Sequence, residues 1–191
     1  MRGTGRGETR ARAREAESNS GVGRPGAVRL SDPEIGCRPF DAGPSYSWDS
    51  LPAMVASENK RLMQAILSEL ENGNGRPFVE AMADDFSWTI IGTTDWSGTY
   101  RGKQTVLDEL LGPLFSQFAD RYTNTAHRFI AEDDHVVVEC GGRVTTKSGS
   151  PYNNTYCWVC RMAGGKLREL TEYLDTELVA TALAPPGAAS D

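Results

Sequence analysis

The sequence has few of the residues on which metal, redox and membrane sites usually depend. Its 191 residues include four cysteines and only two histidines. No apolar run approaches the roughly 20 residues that a membrane-spanning helix needs. The N-terminal segment has arginines but no apolar core, so it does not have the pattern of a secretory signal peptide. These absences predict a cytoplasmic protein that does not enter a membrane.

An excess of basic residues is also absent. The formal net charge is −6, and the first 50 residues contribute eight arginines and seven acidic residues, so the negative excess lies in the remainder. An acidic domain repels phosphate backbones, so we expect no nucleic-acid partner. The chain has no Walker loop, dinucleotide fingerprint, His-Glu-x-x-His helix or Ser-His-Asp spacing. We therefore expect no cofactor and no metal.

Two of the cysteines have a spacing that can indicate redox or metal chemistry. Cys157 and Cys160 are three residues apart, but they lie in the apolar segment Tyr-Cys-Trp-Val-Cys. On a strand, positions three apart face opposite sides of the sheet. We interpret both residues as buried free thiols.

Composition divides the chain into three parts. Residues 1–50 are rich in Gly, Arg, Ser, Pro and Glu with isolated apolar residues, which predicts a disordered N-terminal extension. Periodic apolar residues predict a folded domain over 51–184, and 185–191 are expected to form a flexible tail. Met54 stands just before the periodic region, which suggests the hypothesis that it is a genuine translation start.

The order of predicted elements is typical of an α+β fold. Helical spacing of apolar residues predicts a helix over 57–72, a short second helix from Pro77, and a third over 103–119 with a kink at Gly112-Pro113. Residues 86–91, 124–131, 135–146, 152–162 and 167–175 are predicted strands, 92–102 a loop, and 176–183 a terminal helix. Long strands joined by tight turns coil strongly, so helices can close the concave face around an apolar pocket.

Several segments in this order resemble a known superfamily. They are Met82-Ala-Asp-Asp-Phe-Ser-Trp88, Trp96-Ser-Gly-Thr-Tyr-Arg-Gly-Lys103, Ala131-Glu-Asp-Asp-His-Val-Val-Val-Glu139, Pro151-Tyr-Asn-Asn154 and Gly165-Lys-Leu-Arg-Glu-Leu-Thr-Glu-Tyr-Leu-Asp-Thr176. The chain is similar to SnoaL-like and ketosteroid isomerase-like proteins of the nuclear transport factor 2-like superfamily. The resemblance implies a cone-shaped fold with three N-terminal helices on a curved antiparallel sheet, usually dimeric, with a deep pocket as the functional site.

The resemblance does not fix a reaction, because the superfamily includes isomerases, cyclases, dehydratases, epoxide hydrolases and noncatalytic proteins. Ketosteroid isomerase-like enzymes use a carboxylate base and a carboxylic acid donor. Alignment of this chain puts Ile90 at the base position and Cys157 at the donor position. Neither side chain can act as required, so the chain is not expected to be a true ketosteroid isomerase.

Epoxide hydrolase-like members use two carboxylates bridged by an arginine, around a water held partly by a tyrosine and an asparagine. Glu172 matches the last-strand acid of that set. The arginine and the other acid fall on Cys140 and Gly142, and the water-binding positions hold Trp88 and Ile90. One acid of the set therefore remains.

Alternation along the last strand makes Glu172 the main catalytic candidate. Leu170, Glu172 and Leu174 share one face, so Glu172 faces the interior if the leucines do. A carboxyl among apolar groups has a raised pKa and can act as a general acid or base. The alternatives are an ion pair with Arg128 or Arg168, or a place at the wet mouth of the pocket.

The remaining candidates depend on how the strands are arranged. His127 is a second catalytic candidate if its strand brings it to Glu172; otherwise it is packed or exposed. The predicted substrate-binding residues are Trp88, Ile90, Trp96, Tyr100, Asn154, Cys157 and Asp175. Asp175 has an alternative role as a cap of the terminal helix, and Asn154 as a hydrogen-bonding partner of the turn.

Two functions remain open from the sequence. Tyr156 and Trp158 alternate with Cys157, so they are predicted to lie on the outer sheet face and to form a homodimer contact. The first functional hypothesis is a SnoaL-like isomerase, cyclase or hydrolase that acts by proton transfer on a small apolar, oxygenated molecule. The alternative is a noncatalytic ligand-binding or dimeric association domain of the same fold.

Overall fold

A computed structural model describes residues 51–187 of the chain. The predictions for residues 1–50 and for the end of the tail, 188–191, lie outside the described residues. Within the described part, no helix is both long enough and apolar enough to cross a membrane.

Two helices precede the sheet in the described residues. Helix α1 (Leu51–Glu71) buries Met63, Ile66 and Leu67, which recur three and four positions apart, and it packs on the strands Thr123–Glu132 and His135–Arg143. It ends at Glu71, and Gly73 follows with a φ of +73°, in the left-handed region that glycine adopts without strain. Helix α2 (Arg76–Ala81) has a proline in its first turn and buries Phe78.

The third helical segment lies between strands, so the predicted set of three N-terminal helices is not observed. It consists of α3 (Lys103–Thr105), a π-helical turn (Val106–Leu111) and α4 (Gly112–Ser116). The irregularity falls where the kink was predicted: the Gly112 N–H donates to Leu107 O, five residues back, and Pro113 follows without an N–H of its own. The segment buries Val106, Leu110 and Leu111, whereas Phe115 is 49% exposed.

Six strands form one sheet. In chain order they are β1 (Met82–Ile90), β2 (Gly98–Arg101), β3 (Thr123–Glu132), β4 (His135–Arg143), β5 (Thr155–Ala163) and β6 (Lys166–Leu174), followed by helix α5 (Thr176–Ala182). The spatial order is β2-β1-β6-β5-β4-β3. Strand β2 lies in the region predicted to be a loop.

The sheet is mixed, so the prediction of a wholly antiparallel sheet is wrong at one place. Strands β1 and β6 run parallel, whereas every other pair is antiparallel. Tight turns join β3 to β4 and β5 to β6, so the turns fix those directions. Strands β1 and β6 are far apart in the chain, and no local turn sets their relative direction.

One face of the curved sheet is buried beneath the helices. Strands β4 and β5 alternate strictly between buried and partly exposed residues. The buried side chains of the central strands include Trp88, Ile90, Val136, Val138, Cys140, Tyr156, Trp158, Cys160, Leu170 and Glu172. Helix α5 completes the enclosure with Val179. This arrangement puts a single carboxyl group among apolar side chains.

Candidate functional site

A cavity of about 180 Å³ lies between the inner sheet face and the helices. Its walls are mostly leucine and aromatic side chains. The lining residues are Leu70, Gly75, Phe78, Val79, Trp88, Ile90, Trp96, Leu110, Leu111, Leu114, Phe115, Tyr122, Tyr152, Tyr156, Trp158, Glu172, Leu174, Val179 and Leu183. Glu172 is the only carboxyl group in this lining, and the lining contains no lysine, arginine or histidine among the described residues.

Two indole groups hold the Glu172 carboxyl. Trp88 Nε1 donates to Glu172 Oε2 at 2.8 Å, and Trp158 Nε1 donates to Oε1 at 3.3 Å. The sheet register explains both contacts, because Glu172 pairs with Ile90 on β1 and with Trp158 on β5. Phe78 from α2 covers the two indoles, with ring centroids 5.6 Å from Trp88 and 5.4 Å from Trp158.

Burial raises the pKa of Glu172 from its ordinary value of 4.5 to about 7. Removal from water disfavours the charged carboxylate, and this effect exceeds the opposing one of the indole hydrogen bonds from Trp88 and Trp158, which favour the anion. The predicted ion pairs with Arg128 and Arg168 are not formed, because those arginines pair with Glu139 and Asp85. The carboxyl therefore titrates near neutral pH, and no cationic side chain among residues 51–187 pairs with it.

Three of the predicted substrate-binding residues line the cavity. Trp88 and Ile90 project from β1 on the same face as Glu172. Trp96 lies in the loop before β2, and its Nε1 donates to Ala184 O at 3.0 Å. Because this bond joins the loop to the segment after α5, Trp96 lines the cavity and also fixes one of its walls.

Three others lie outside the lining and support it. Tyr100 donates its hydroxyl to Trp96 O at 3.2 Å. The Asn154 amide is buried, and it accepts from Asp175 N at 3.0 Å and donates to Asp175 O at 3.1 Å. Asp175 Oδ1 caps α5 by accepting from Glu177 N and Leu178 N at 3.0 and 3.1 Å. The structure thus favours the capping alternative for Asp175, and for Asn154 it shows bonds to the start of α5.

His127 is not brought to Glu172. It is the extra residue of a bulge in β3, where the pairing with β4 shifts between Ala126 and Arg128. The side chain is exposed, and its Nε2 lies over Gly141, 3.3 Å from where a Cβ there would be. The predicted catalytic pairing with Glu172 is therefore absent from this structure.

The prediction of which β5 side chains face the cavity is wrong, because the alternation is displaced by one residue. Cys157, expected in the cavity, faces away from it, whereas Tyr156 and Trp158, expected on the outer face, line it. The register pairs Trp158 with Glu172, so both side chains share one face. A signal was present in the sequence: Arg161 has the same parity as Cys157, and a strand with one buried face turns such a residue outward.

Sequence reasoning also missed two tyrosines that lie just before strands. Tyr122 and Tyr152 line the cavity beside Tyr156. Gly142 makes room for Tyr122, because a Cβ at position 142 would lie 2.5 Å from the Tyr122 hydroxyl oxygen. No local pattern at these positions indicates that their side chains converge.

A metal centre is not apparent in residues 51–187, where no group of three or more His, Cys, Asp or Glu side chains is placed to hold an ion. Cys140, Cys157 and Cys160 are free thiols, and burial raises the pKa of the Cys140 thiol to about 12. Cys140 is therefore protonated near neutral pH, when it is a weak metal ligand.

The fold and this cavity agree with a match to a family model. Residues 63–170 match the model of the SnoaL-like domain, so the chain belongs to the SnoaL-like domain family. No curated protein gives a significant match.

Solved structures share the fold at low sequence identity. An NTF2-like protein of unknown function from Burkholderia pseudomallei is 19% identical with a TM-score of 0.57, covering 66% of this chain and 98% of its own. A putative SnoaL-like polyketide cyclase from Jannaschia is 17% identical with a TM-score of 0.56, covering 69% and 95%. An LEH-like epoxide hydrolase from M. tuberculosis is 20% identical with a TM-score of 0.52, covering 64% and 86%. These likenesses establish an NTF2-like α+β fold.

Proposed function

We propose that the protein is a small-molecule enzyme, an isomerase, cyclase or hydrolase, in which Glu172 acts as general acid and base. One observation carries the proposal: a single carboxyl group is buried in an apolar cavity and has a pKa of about 7. General acid–base catalysis is most effective when the pKa lies near the working pH. Perturbed carboxyls in clefts are candidates for catalytic sites, and Glu172 has no ionic partner among the described residues.

The two indoles give the carboxyl a defined orientation for proton transfer. Trp88 Nε1 and Trp158 Nε1 each donate to a different Glu172 oxygen. Each oxygen of a carboxylate has a further lone pair that can accept a proton. Near neutral pH the protonated and ionised forms coexist, so Glu172 can take a proton from a bound molecule and return it at another atom. Isomerisation and cyclisation both need this pair of steps.

The walls favour an apolar, oxygenated substrate. Leucine and aromatic side chains make up most of the lining, and the described lining contains no cationic side chain that could pair with an anionic group. The solved relatives include a putative polyketide cyclase and an LEH-like epoxide hydrolase, both named for reactions of small molecules. A small ring compound with oxygen substituents fits this chemistry.

A noncatalytic ligand-binding domain is the second candidate function. The observation that favours it is that the described lining holds no histidine, no lysine and no second carboxyl group, since His127 lies on the outer side of β3. Glu172 would then act only as a hydrogen-bonding group for the ligand. Measurement of proton transfer separates the two functions.

Hydrogen–deuterium exchange tests proton transfer before the substrate is known. Cyclic ketones incubated in heavy water with the protein are followed by proton NMR for loss of the hydrogen next to the carbonyl. We expect wild-type protein to accelerate exchange for at least one ketone, and Glu172→Gln to lower that rate about 100-fold or more. Glu177→Gln, at an exposed carboxyl on α5, is the matched control and should retain the wild-type rate.

Two results would count against catalysis by Glu172. Equal exchange rates for wild type and Glu172→Gln would remove the residue from the reaction. Absence of exchange with every ketone, together with measurable ketone binding, would favour the noncatalytic function.

We further propose that the chain forms a homodimer through the outer face of the sheet. Val137 and Val159 are paired neighbours at its centre, and Tyr173 on β6 is 48% exposed. Ion pairs on the same face, Arg128–Glu139 and Arg161–Glu169, carry both signs of charge, so a second copy does not face a surface of uniform charge. This replaces the predicted contact through Tyr156 and Trp158, which line the cavity.

A further inference from the structure

One residue of the cavity wall is also exposed to solvent. Phe115 lines the cavity and is 49% exposed, whereas every other lining residue in the described part of the chain is buried or partly buried. A side chain that contacts both the cavity and the solvent separates the two. The Phe115 ring therefore marks the place where the cavity reaches the surface.

Two other aromatic rings hold the Phe115 ring in this position. Its centroid is 5.7 Å from that of Phe118, with the ring planes at 65°, and 6.2 Å from that of Tyr122, with the planes at 49°. Phe118 and Tyr122 are themselves stacked, with centroids 5.9 Å apart. Each aromatic pair of this kind shifts a conformational equilibrium by roughly two- to tenfold. A Phe115 ring turned away from both neighbours is therefore a minor conformer.

The backbone that follows Phe115 is anchored, so the side chain is the part that can move. Lys147 N donates to Gln117 O at 2.7 Å, and Ala119 N donates to Thr145 O at 2.8 Å. These bonds join the end of the helical segment to the loop after β4. The ring has solvent on its exposed side, and rotamer changes of exposed side chains take picoseconds to nanoseconds. Rotation of the side chain can thus uncover the cavity without a change in the backbone.

From this geometry we infer that Phe115 is a gate that determines which ring compounds enter the cavity. The ring covers the entrance while it packs on Phe118 and Tyr122, and a molecule enters when the ring rotates toward the solvent. A flat molecule needs a smaller rotation than a globular molecule of the same size. The inference rests on the proposed function in one respect, namely that the cavity binds a small molecule. It narrows the substrate class to flat ring compounds.

A gate and an ordinary wall residue affect binding rates differently. A gate limits entry and exit alike, so its removal raises the association and dissociation rate constants by the same factor and leaves Kd unchanged. A wall residue stabilises the bound molecule, so its removal raises mainly the dissociation rate constant. Rate constants therefore separate the two roles of Phe115, whereas affinity alone does not.

Indanone and adamantanone form a matched pair of probes, because they are ketones of similar size, the first flat and the second globular. Stopped-flow tryptophan fluorescence measures their association and dissociation rate constants. We expect the wild-type protein to bind indanone faster than adamantanone. Phe115→Ala should raise both rate constants for adamantanone roughly fivefold or more, and those for indanone by a smaller factor. Phe115→Trp, which has a larger ring, should lower the association rate constants.

Met54→Ala is the control, because it removes a 39% exposed apolar side chain of α1 that lies outside the cavity lining. Its rate constants should equal those of the wild type. Unchanged association rates in Phe115→Ala, or a rise in the dissociation rates alone, would overturn the gate. Faster association in Gln117→Leu, which breaks the hydrogen bonds between Gln117 and Ala184, but not in Phe115→Ala would place the entrance at that segment and also overturn it.

These outcomes are distinct from failure of the proposed function. The expected rate constants together with equal hydrogen–deuterium exchange in wild type and Glu172→Gln would retain the gate and remove catalysis by Glu172. Loss of exchange in Glu172→Gln with wild-type association rates in Phe115→Ala would retain catalysis and remove the gate. Failure of both ketones to bind would contradict the small-molecule cavity on which both proposals rest.

Discussion

The pKa of Glu172 results from two opposing influences on one side chain. Burial disfavours the charge, and the indole N–H groups of Trp88 and Trp158 favour it. Because burial is the larger effect, the protonated form persists to about pH 7 in the folded chain. This single residue therefore links the stability of the fold to the chemistry proposed for the cavity.

Stability should fall as the pH rises through the range in which Glu172 ionises. Between the ordinary pKa of 4.5 and the folded value of about 7, the folded chain holds a proton that the unfolded chain has lost. The folded state binds more protons there, so the free energy of unfolding decreases with pH and levels off above the folded pKa. The loss attributable to this group is roughly 3 kcal/mol.

Glu172→Gln removes this titration, and chemical denaturation of both proteins measures it. The free energy of unfolding of the variant, relative to wild type, should rise between about pH 5 and about pH 8. Other carboxyl groups affect both proteins alike, so the difference isolates Glu172. A difference that does not change across this range would show that the folded pKa is not raised.

At the scale of elements, side chains at the end of β6 and the start of α5 hold the cavity wall. Asp175 caps α5, and the Asn154 amide makes two bonds to the Asp175 backbone. Gln117 exchanges hydrogen bonds with Ala184, which also accepts from Trp96. The terminal helix is thus joined to three separate parts of the chain, and this keeps Val179 and Leu183 against the cavity.

A pair of substitutions at position 175 separates capping from ligand binding. Asp175→Ala removes the cap and should lower the free energy of unfolding by about 1 kcal/mol, whereas asparagine caps helices as well as aspartate does. We expect Asp175→Asn to retain both its stability and its affinity for a cyclic ketone that binds the wild-type protein, measured by denaturation and by fluorescence titration. Weakened binding in a fully stable Asp175→Asn protein would assign Asp175 to the ligand instead.

The elements and the site differ in how far the sequence predicts them. Alternation along β6 was enough to predict that Glu172 faces inward, because leucines flank it on the same face. Alternation along β5 is equally clear, but two signals conflict there. The resemblance places Cys157 in the cavity, whereas alternation puts Cys157 on the same face as the charged Arg161, which points outward. An error of one residue in the predicted alternation exchanges the inward and outward faces of that strand.

Other features depend on contacts between distant segments. The parallel pairing of β1 with β6 and the addition of β2 at the sheet edge arise from positions remote in sequence. The bulge at His127 turns that side chain outward, and no local residue pattern marks it. Tyr122, Tyr152 and Tyr156 line one cavity only because the folded sheet brings their segments together. The elements, the acid and its neighbour Trp88 could therefore be predicted, whereas the places of Trp158 and the cavity tyrosines could not.

At the scale of the whole molecule, the outer face of the sheet is the surface through which we propose that two copies of the chain associate. Val137 and Val159 lie at its centre, with Ile130 and Tyr173 about half-exposed. The inner face is occupied by helices and by the cavity, so association through the outer face leaves the proposed site intact. The proposed dimer and the proposed chemistry can be tested independently.

A charge at the centre of this face should prevent association. We expect wild-type protein to have the mass of a dimer in size-exclusion chromatography with light scattering. Val159→Glu should give a monomer, because a dimer would bury the new carboxylate without a partner. Gln64→Glu adds the same charge on the exposed side of α1 and should leave the dimer unchanged. A wild-type monomer, or a Val159→Glu dimer, would exclude this interface.

The central claim is that Glu172 is a cavity carboxyl that exchanges its proton near neutral pH. Carbon-13 NMR of protein labelled at the glutamate side-chain carboxyl measures this directly, and comparison with Glu172→Gln identifies the signal. We expect one resonance, missing in the variant, that titrates with a midpoint near pH 7. A Glu172 resonance that titrates near the ordinary value of 4.5 would contradict it.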